Sequence, residues 1–173
     1  MVSEILYFVL VGLMAVQRLI ELVLSKRNAA WSKARGGVET GLGHFPFMVV
    51  LHTGFLIGCV LEVVLGHRPF LPALGWPMLA LVVCGQSLRW WCIRTLGPRW
   101  NTRVIVVPGL PLVTGGPYRF LRHPNYVAVI VEGFALPLVH TAWLTALLFS
   151  VLNAGLLTVR IRAEDTALQA AHA

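Results

Sequence analysis

The 173 residues are 57% hydrophobic and only 12% charged, and the mean hydropathy of +0.77 excludes an ordinary soluble globular protein. The formal net charge of +7 does not indicate nucleic-acid binding, because no basic stretch carries interleaved aromatic residues on a soluble module. The three cysteines have no CxxC spacing, so neither a metal site nor a disulfide framework is predicted.

The hydropathy pattern predicts an all-α integral membrane protein, a single domain over residues 1–173 with about five transmembrane helices. A spanning helix needs about 20 apolar residues, so four or five crossings would use most of the chain. The predicted helices are 4–24, 44–65, 72–96, 125–138 and 141–161.

Two polar or irregular connections separate these segments. Residues 25–41 are polar, basic and glycine-containing, which predicts a loop or an interfacial helix. Residues 97–124 carry proline or glycine every few positions, which predicts a long loop. The last two apolar segments are divided at Pro137 and His140, so we expect a tight helical hairpin there.

The basic residues predict one orientation. If the N-terminus is outside, twelve of the fourteen Lys and Arg residues fall on the inner side, and the exceptions are Arg18 and Arg68. The positive-inside rule therefore places the C-terminus and the 97–124 loop at the cytoplasmic face. We expect a multi-pass protein of a bacterial inner (plasma) membrane.

Three sequence features in the second half of the chain occur in a characteristic order. The stretch LVTGGPYRFLRHPNY, residues 112–126, has a Gly-x-Tyr followed by Arg-His-Pro-x-Tyr. An apolar hairpin follows, and then Arg160 stands four residues before Glu164. This combination resembles the isoprenylcysteine carboxyl methyltransferase family. The resemblance implies an all-helical membrane core with an S-adenosylmethionine pocket on the cytoplasmic side, closed by the C-terminal segment.

The resemblance also implies roles for individual residues. Glu164 would reach the cofactor end of the pocket and Arg160 the substrate end, and these two are the candidate catalytic residues. The implied cofactor-contacting residues are Leu110, Pro111, Leu112, Val113, Tyr118, His123, Pro124, Asn125, Tyr126 and Glu164.

The chemistry of these side chains agrees with methyl transfer, which needs alignment of donor and acceptor and no metal. Arg122 suits the cofactor carboxylate through a forked hydrogen bond, and Glu164 suits its ammonium group or ribose diol. Tyr118 and Tyr126 suit the adenine or the ribose. Arg160 lies one turn from Glu164 on the same helix face, where its cation would stabilise a deprotonated acceptor oxygen.

Other interpretations of the same residues remain open. His123 and Pro124 would equally suit the start of a helix, since proline is favoured in the first turn. Arg160 and Glu164 would equally suit a surface ion pair. Glu132 is an ionisable residue inside a predicted span, where such residues are rare. It either faces the acceptor pocket as a substrate residue or binds a neighbouring helix, through a shared proton or through basic residues of the 97–124 loop.

The expected function is S-adenosylmethionine-dependent O-methyl transfer to a membrane-dissolved lipophilic acceptor. The stretch RWNTRVIVVPG, residues 99–109, resembles relatives that methylate long-chain phenols, which favours a phenolic lipid such as an alkylresorcinol over an isoprenylcysteine carboxylate. The expected partners are this acceptor and membrane lipids, and the oligomeric state is left open. One alternative is a non-catalytic membrane transporter or scaffold. Another is an NADPH-dependent membrane reductase of the sterol reductase type, although no Rossmann fingerprint is present.

Overall fold

The computed structural model describes residues 2–41, 43 and 45–172. In this part of the chain, long helices dominate and two three-residue strands form a small antiparallel sheet. The helices are α1 Val2–Lys33, α2 Phe45–Leu65, α3 Pro72–Leu96, α4 Pro124–Leu138 and α5 Trp143–His172, and the strands are β1 Val38–Thr40 and β2 Val104–Val106. The chain is therefore mostly helical, as expected, and the small sheet was not anticipated.

The helix ends agree with the sequence expectation where sharp signals mark them. α3 has Pro72 in its first turn and Gly97 at its C-terminal end, and it covers the expected residues 72–96. By contrast, α5 continues past residue 161 to His172, because alanine-rich residues without a breaker follow. The expected first residue of the second helix, His44, lies outside the described residues.

α1 is longer than expected at its C-terminal end. Residues 25–33, expected in a loop or an interfacial helix, continue the first helix without interruption to Lys33. A turn follows Lys33 in which Gly36 has a φ of 77°, which suits glycine, and the Gly37 N–H donates to the Ser32 carbonyl at 2.9 Å. This is a glycine-based helix cap.

Three of the helices, α1, α2 and α5, are long and apolar enough to cross a membrane. Many of their large apolar side chains, such as Leu13, Val50 and Leu147, are exposed, which in water would be unfavourable and in lipid is expected. The chain is therefore a membrane protein. The count of five crossings, with α3 and α4 as the other two, and the orientation stay predictions.

A buried charge cluster joins α1 to α3 and α4. Arg18 pairs with Glu21 at 2.5 Å, as ionisable neighbours three apart on a helix can. Arg89 donates to both oxygens of Glu132, from Nε at 3.0 Å and from Nη2 at 2.6 Å, and Arg18 also bonds Glu132. Two cations thus face two anions, which allows these groups to be buried among apolar helices.

On the opposite side of the helical core from the 97–124 loop, Glu62 holds the first turn of α5. Its carboxylate accepts the N–H groups of Leu144 at 3.1 Å and Thr145 at 2.7 Å, and it pairs with Arg68 at 3.0 Å. A carboxylate at a helix N-terminus satisfies otherwise unpaired donors and favours the helix dipole. Glu62 is thus a structural residue that fixes the α4–α5 hairpin against α2.

Candidate functional site

A cavity of about 500 Å³ lies where the segment between α3 and α4 meets the C-terminal third of α5. Its volume is in the range of small-molecule sites. The wall is formed by β2 and the loop that follows it, by the start of α4 and by α5, with Ser32 of α1 at one edge.

Most of the residues singled out in the sequence line this one cavity. They are Leu110, Pro111, Leu112, Val113, Tyr118, Arg122, His123, Asn125, Tyr126, Arg160 and Glu164. Pro124 and Glu132 do not line it. Pro124 is buried as the first residue of α4, which agrees with the interpretation that Pro124 stands at the start of a helix.

Gly116 allows the turn that carries Tyr118 to pack tightly against α3. It has a φ of 55°, and a Cβ added there would lie 2.4 Å from Thr95 Oγ1, so only glycine fits without displacement. Tyr118 follows in the 3₁₀ turn Gly116–Arg119. Burial, followed by the hydrogen-bonded Cys92 thiol, raises the pKa of Tyr118. Its hydroxyl therefore stays protonated at neutral pH and is a donor rather than a base.

Two neighbouring carboxylates of α5 hold the start of α4. Tyr126 donates its hydroxyl to Glu164, and His123 Nε2 lies 3.2 Å from Asp165 Oδ1. The His123 and Tyr126 rings stack with their centroids 5.5 Å apart. Arg122 lies 3.6 Å from Asp165 and its side chain is 76% exposed, so it lies at the rim. Asp165 was not among the expected site residues, although its position directly after Glu164 was a signal for it.

Arg160 lies at the deep end of the cavity, and its side chain is buried. It is 5% exposed, and its guanidinium carbon is 5.7 Å from the centre of the Tyr126 ring. Nη2 donates to the Thr102 carbonyl at 2.8 Å and Nη1 to the Met48 sulfur at 2.5 Å, and Nε has no hydrogen-bond partner among the residues that the structure describes. No carboxylate pairs with Arg160 in the described part of the chain, so a surface pair with Glu164 does not describe this residue.

Glu132 occupies a different place from the one expected of a substrate residue. It is buried between Arg18 and Arg89 and borders a void of about 20 Å³ together with His52. Glu132 instead contacts neighbouring helices, which was the alternative interpretation. The arginines that pair with it lie on α1 and α3 and not in the 97–124 loop. The structure does not bring Glu132 to the large cavity.

The small sheet covers one side of the cavity. β1 pairs with β2 in the register Val38 to Val106, Glu39 to Ile105 and Thr40 to Val104, and all three β2 residues line the cavity. Glu39 is held by Lys33 and Arg103, each at 2.8 Å, and the hydrogen bond from Lys33 is the main cause that lowers the pKa of Glu39. The β-branched run at 104–107 was a strand signal that the proline-rich surroundings obscured.

Several residues of the cavity wall carry buried polar atoms that have no hydrogen-bond partner among the described residues. They are Trp100 Nε1, Asn101 Nδ2, Asn125 Oδ1 and Arg160 Nε. Buried polar groups are usually paired. The residues that carry these atoms add polar groups to the wall of the cavity.

Comparison with known proteins identifies the family to which this site belongs. Residues 78–170, more than half of the chain, match the isoprenylcysteine carboxyl methyltransferase (ICMT) family. The chain belongs to the ICMT family. The resemblance found in the motifs is therefore confirmed, and the matched range includes α4, most of α3 and α5, and nearly all of the cavity wall.

Relatives of similar length support this assignment over the whole chain. The uncharacterized protein YpbQ of Bacillus subtilis (strain 168) is 40% identical over 165 residues, covering 95% of this chain and 97% of its own. An uncharacterized protein of Haemophilus influenzae is 24% identical over 152 residues, covering 87% of this chain and 88% of its own. ICMT-family membership indicates a membrane methyltransferase, and family members in general use S-adenosylmethionine.

Proposed function

We propose that this protein transfers a methyl group from S-adenosylmethionine to an oxygen of a lipophilic acceptor dissolved in the membrane. A phenolic lipid such as an alkylresorcinol is the favoured acceptor, ahead of an isoprenylcysteine carboxylate. The observation that carries the proposal is Arg160, a buried cation at the deep end of a cavity that pairs with no carboxylate among the described residues. Burying an uncompensated charge is costly, and an acceptor oxyanion beside Arg160 would remove that cost.

The residues around the outer part of the cavity fit S-adenosylmethionine. Glu164 and Asp165 offer carboxylates to an ammonium group or a ribose diol, and Arg122 at the rim offers a fork to a carboxylate. Tyr118 offers a protonated hydroxyl, and Asn125 lines the same wall. Bound there, S-adenosylmethionine would supply an electrophilic methyl group on its sulfonium. His123 and Tyr126, stacked on each other, would form one side of the pocket.

Arg160 would act on the acceptor by favouring its deprotonated form. A phenol ordinarily loses its proton near pH 10, whereas a guanidinium remains protonated throughout the physiological range. A fixed cation beside the oxygen stabilises the phenolate and so lowers the acceptor's pKa. Of the present Arg160 partners, the Met48 sulfur is a weak acceptor, which an oxyanion can replace at little cost.

The wall that surrounds Arg160 supports a phenolic acceptor. Trp100, Asn101 and the β2 strand, all within the stretch that resembles phenol-methylating relatives, line the cavity. On the other side, Met48 of α2 is half-buried and contacts Arg160, so a partly exposed side chain lies beside the guanidinium. We propose that the acceptor reaches Arg160 sideways from the bilayer past Met48, while the cofactor arrives from water.

The class of the protein is tested by parallel titrations of the detergent-solubilised protein with S-adenosylhomocysteine and NADPH, followed by calorimetry. A methyltransferase binds S-adenosylhomocysteine and leaves NADPH unbound. Binding of NADPH alone would indicate a reductase, and binding of neither would indicate a transporter or scaffold. The same titrations compare Asp165→Asn with Arg162→Ala, a variant at an exposed position, because only Asp165 lines the cavity.

A further inference from the structure

The C-terminal half of α1 carries a stripe of buried polar residues. Glu21, Ser25, Asn28 and Ser32 are all buried, and their spacing of four, three and four residues places them on one helix face. Their neighbours Lys26 and Arg27 are exposed. This stripe lies outside residues 78–170, so the family match assigns nothing to it.

Two members of the stripe hold the segment that follows α3. Asn28 Nδ2 donates to the carbonyls of Trp100 at 2.7 Å and Gly97 at 3.2 Å. Ser25 Oγ accepts the Thr102 N–H at 3.0 Å and lies 2.8 Å from Thr102 Oγ1. Residues 97–102 have no regular ladder of their own beyond one 3₁₀ turn, so these side chains determine where Thr102 lies.

Thr102 in turn holds Arg160. Its carbonyl accepts Nη2 of Arg160 at 2.8 Å, and the Tyr126 side chain is hydrogen-bonded to the same guanidinium. The direction of the guanidinium therefore depends in part on the Thr102 carbonyl, whose position depends on Ser25 and Asn28. A continuous path of hydrogen bonds thus runs from α1 to the cation.

We propose that Ser25 and Asn28 are positioning residues that aim Arg160 at the acceptor oxygen. The proposal rests on the function proposed above and adds a helix that the family match leaves out. Neither side chain needs to touch substrate. A displacement of about 1 Å in a reacting group can lower a rate by roughly a hundredfold, so loss of the Ser25 hydroxyl should change turnover far more than it changes binding.

The test compares full-length variants in liposomes with S-adenosylmethionine and a long-chain alkylresorcinol. Ser25→Ala removes the hydroxyl, Ser25→Thr keeps it, and Asn28→Asp keeps the shape but removes the amide donors. Lys26→Ala, the exposed neighbour on the same helix, is the control. We expect Ser25→Ala and Asn28→Asp to lower kcat by about tenfold to a hundredfold. Affinity for S-adenosylhomocysteine should stay within about twofold, and Ser25→Thr and Lys26→Ala should behave like wild type.

A second measurement does not depend on turnover. The guanidinium ¹⁵N resonances of Arg160, assigned by their loss in Arg160→Lys, should shift or broaden in Ser25→Ala and return in Ser25→Thr. An unchanged kcat together with unchanged resonances would overturn the positioning role. Parallel losses of kcat and S-adenosylhomocysteine affinity would also overturn it, since they would indicate a general loss of structure. If wild type transfers no methyl group, the proposed function fails, and the resonances alone decide whether α1 aims Arg160.

Discussion

Arg160 donates a hydrogen bond from Nη2 to the backbone carbonyl of Thr102 at 2.8 Å across 58 residues of sequence. A carbonyl orients a guanidinium without neutralising it, because it carries only a partial charge. The cation therefore keeps its full charge inside a largely enclosed wall. This arrangement suits a group that awaits an anion, whereas a structural arginine such as Arg89 is neutralised by a carboxylate that it contacts through two hydrogen bonds.

Arg160→Ala should abolish turnover while leaving S-adenosylhomocysteine affinity within a few-fold. Loss of one preorganised charge that stabilises a developing or bound anion typically costs about a hundredfold to a thousandfold in kcat. Turnover is measured by methyl transfer in liposomes, and affinity by calorimetry.

Arg162→Ala is the matched control for Arg160→Ala, because Arg162 lies two residues further along α5 and is exposed. It should retain wild-type turnover. If Arg160→Ala lost cofactor affinity and turnover together, Arg160 would be reassigned to the cofactor.

His123→Ala should weaken cofactor binding. The substitution removes the contact with Asp165 and the ring stacked on Tyr126, so the start of α4 loses two of the contacts that hold it against α5. A hydrogen bond to a charged group contributes about 1.5–3 kcal/mol, which corresponds to roughly a tenfold to hundredfold change in Kd. The exposed loop residue His67 supplies the control His67→Ala. If His123→Ala bound S-adenosylhomocysteine with unchanged affinity, His123 would have no role in cofactor binding and would serve only at the start of α4.

Glu132→Gln should destabilise the protein without a specific effect on the cavity. It removes the carboxylate that Arg89 and Arg18 share and leaves excess positive charge in the core. Removing one partner of a buried ion pair costs about 3–5 kcal/mol. Thermal unfolding in detergent measures the loss, and S-adenosylhomocysteine affinity at a temperature where the variant is folded should stay near wild type.

A paired substitution separates charge imbalance from loss of shape. Adding Arg89→Gln to Glu132→Gln removes one cation with one anion, so the double variant should unfold at a higher temperature than Glu132→Gln alone. A double variant that was less stable by the sum of the two single effects would show that the charges of Arg89 and Glu132 do not interact.

The sheet that covers the cavity should depend on pH through Glu39. Lys33 and Arg103 keep the pKa of this carboxyl below its usual value, which is about 4.3. A lowered folded-state pKa means that the stabilisation is fully present above the unfolded value and is lost as the pH falls through the folded value. Amide hydrogen-exchange protection at Val104 and Val106, which pair with Thr40 and Val38, should therefore be constant from neutral pH to about pH 5 and fall below about pH 4. Glu39→Gln should lower the protection at neutral pH and remove this step; a step of equal size in that variant would assign the titration to another group.

Sequence reasoning succeeded where the local signal was strong. Pro72 and Gly97 mark the ends of α3, and the order of Tyr118, the His123 motif and Arg160 was specific enough to indicate both the family and the residues of one cavity. These signals come from single residues with strong backbone or chemical preferences, so they survive without knowledge of the packing.

What the sequence did not predict depends on contacts between distant segments. Residues 25–33 are polar on two faces: Lys26 and Arg27 are exposed, whereas Ser25 and Asn28 are buried and bond residues 97–102. Hydropathy averages over all sides of a helix and cannot separate these two cases. Glu132 and Arg89 lie on different helices, so spacing alone could not pair them. The three-residue strands β1 and β2 are too short to produce an alternating pattern.

The measurement that tests the central claim most directly follows labelled methyl from S-adenosylmethionine in liposomes that contain the wild-type protein. Long-chain alkylresorcinol and resorcinol itself are compared at equal bulk concentration. The apolar helices add little affinity for the tail beyond that of lipid, and specificity comes from the head group at Arg160. We expect label in the long-chain phenol, at rates that vary weakly with tail length once the phenol has partitioned into the bilayer. Tail-less resorcinol should react far more slowly. No label in any lipid acceptor, phenolic or carboxylic, would contradict methyl transfer, and equal rates for resorcinol would contradict an acceptor taken from the membrane.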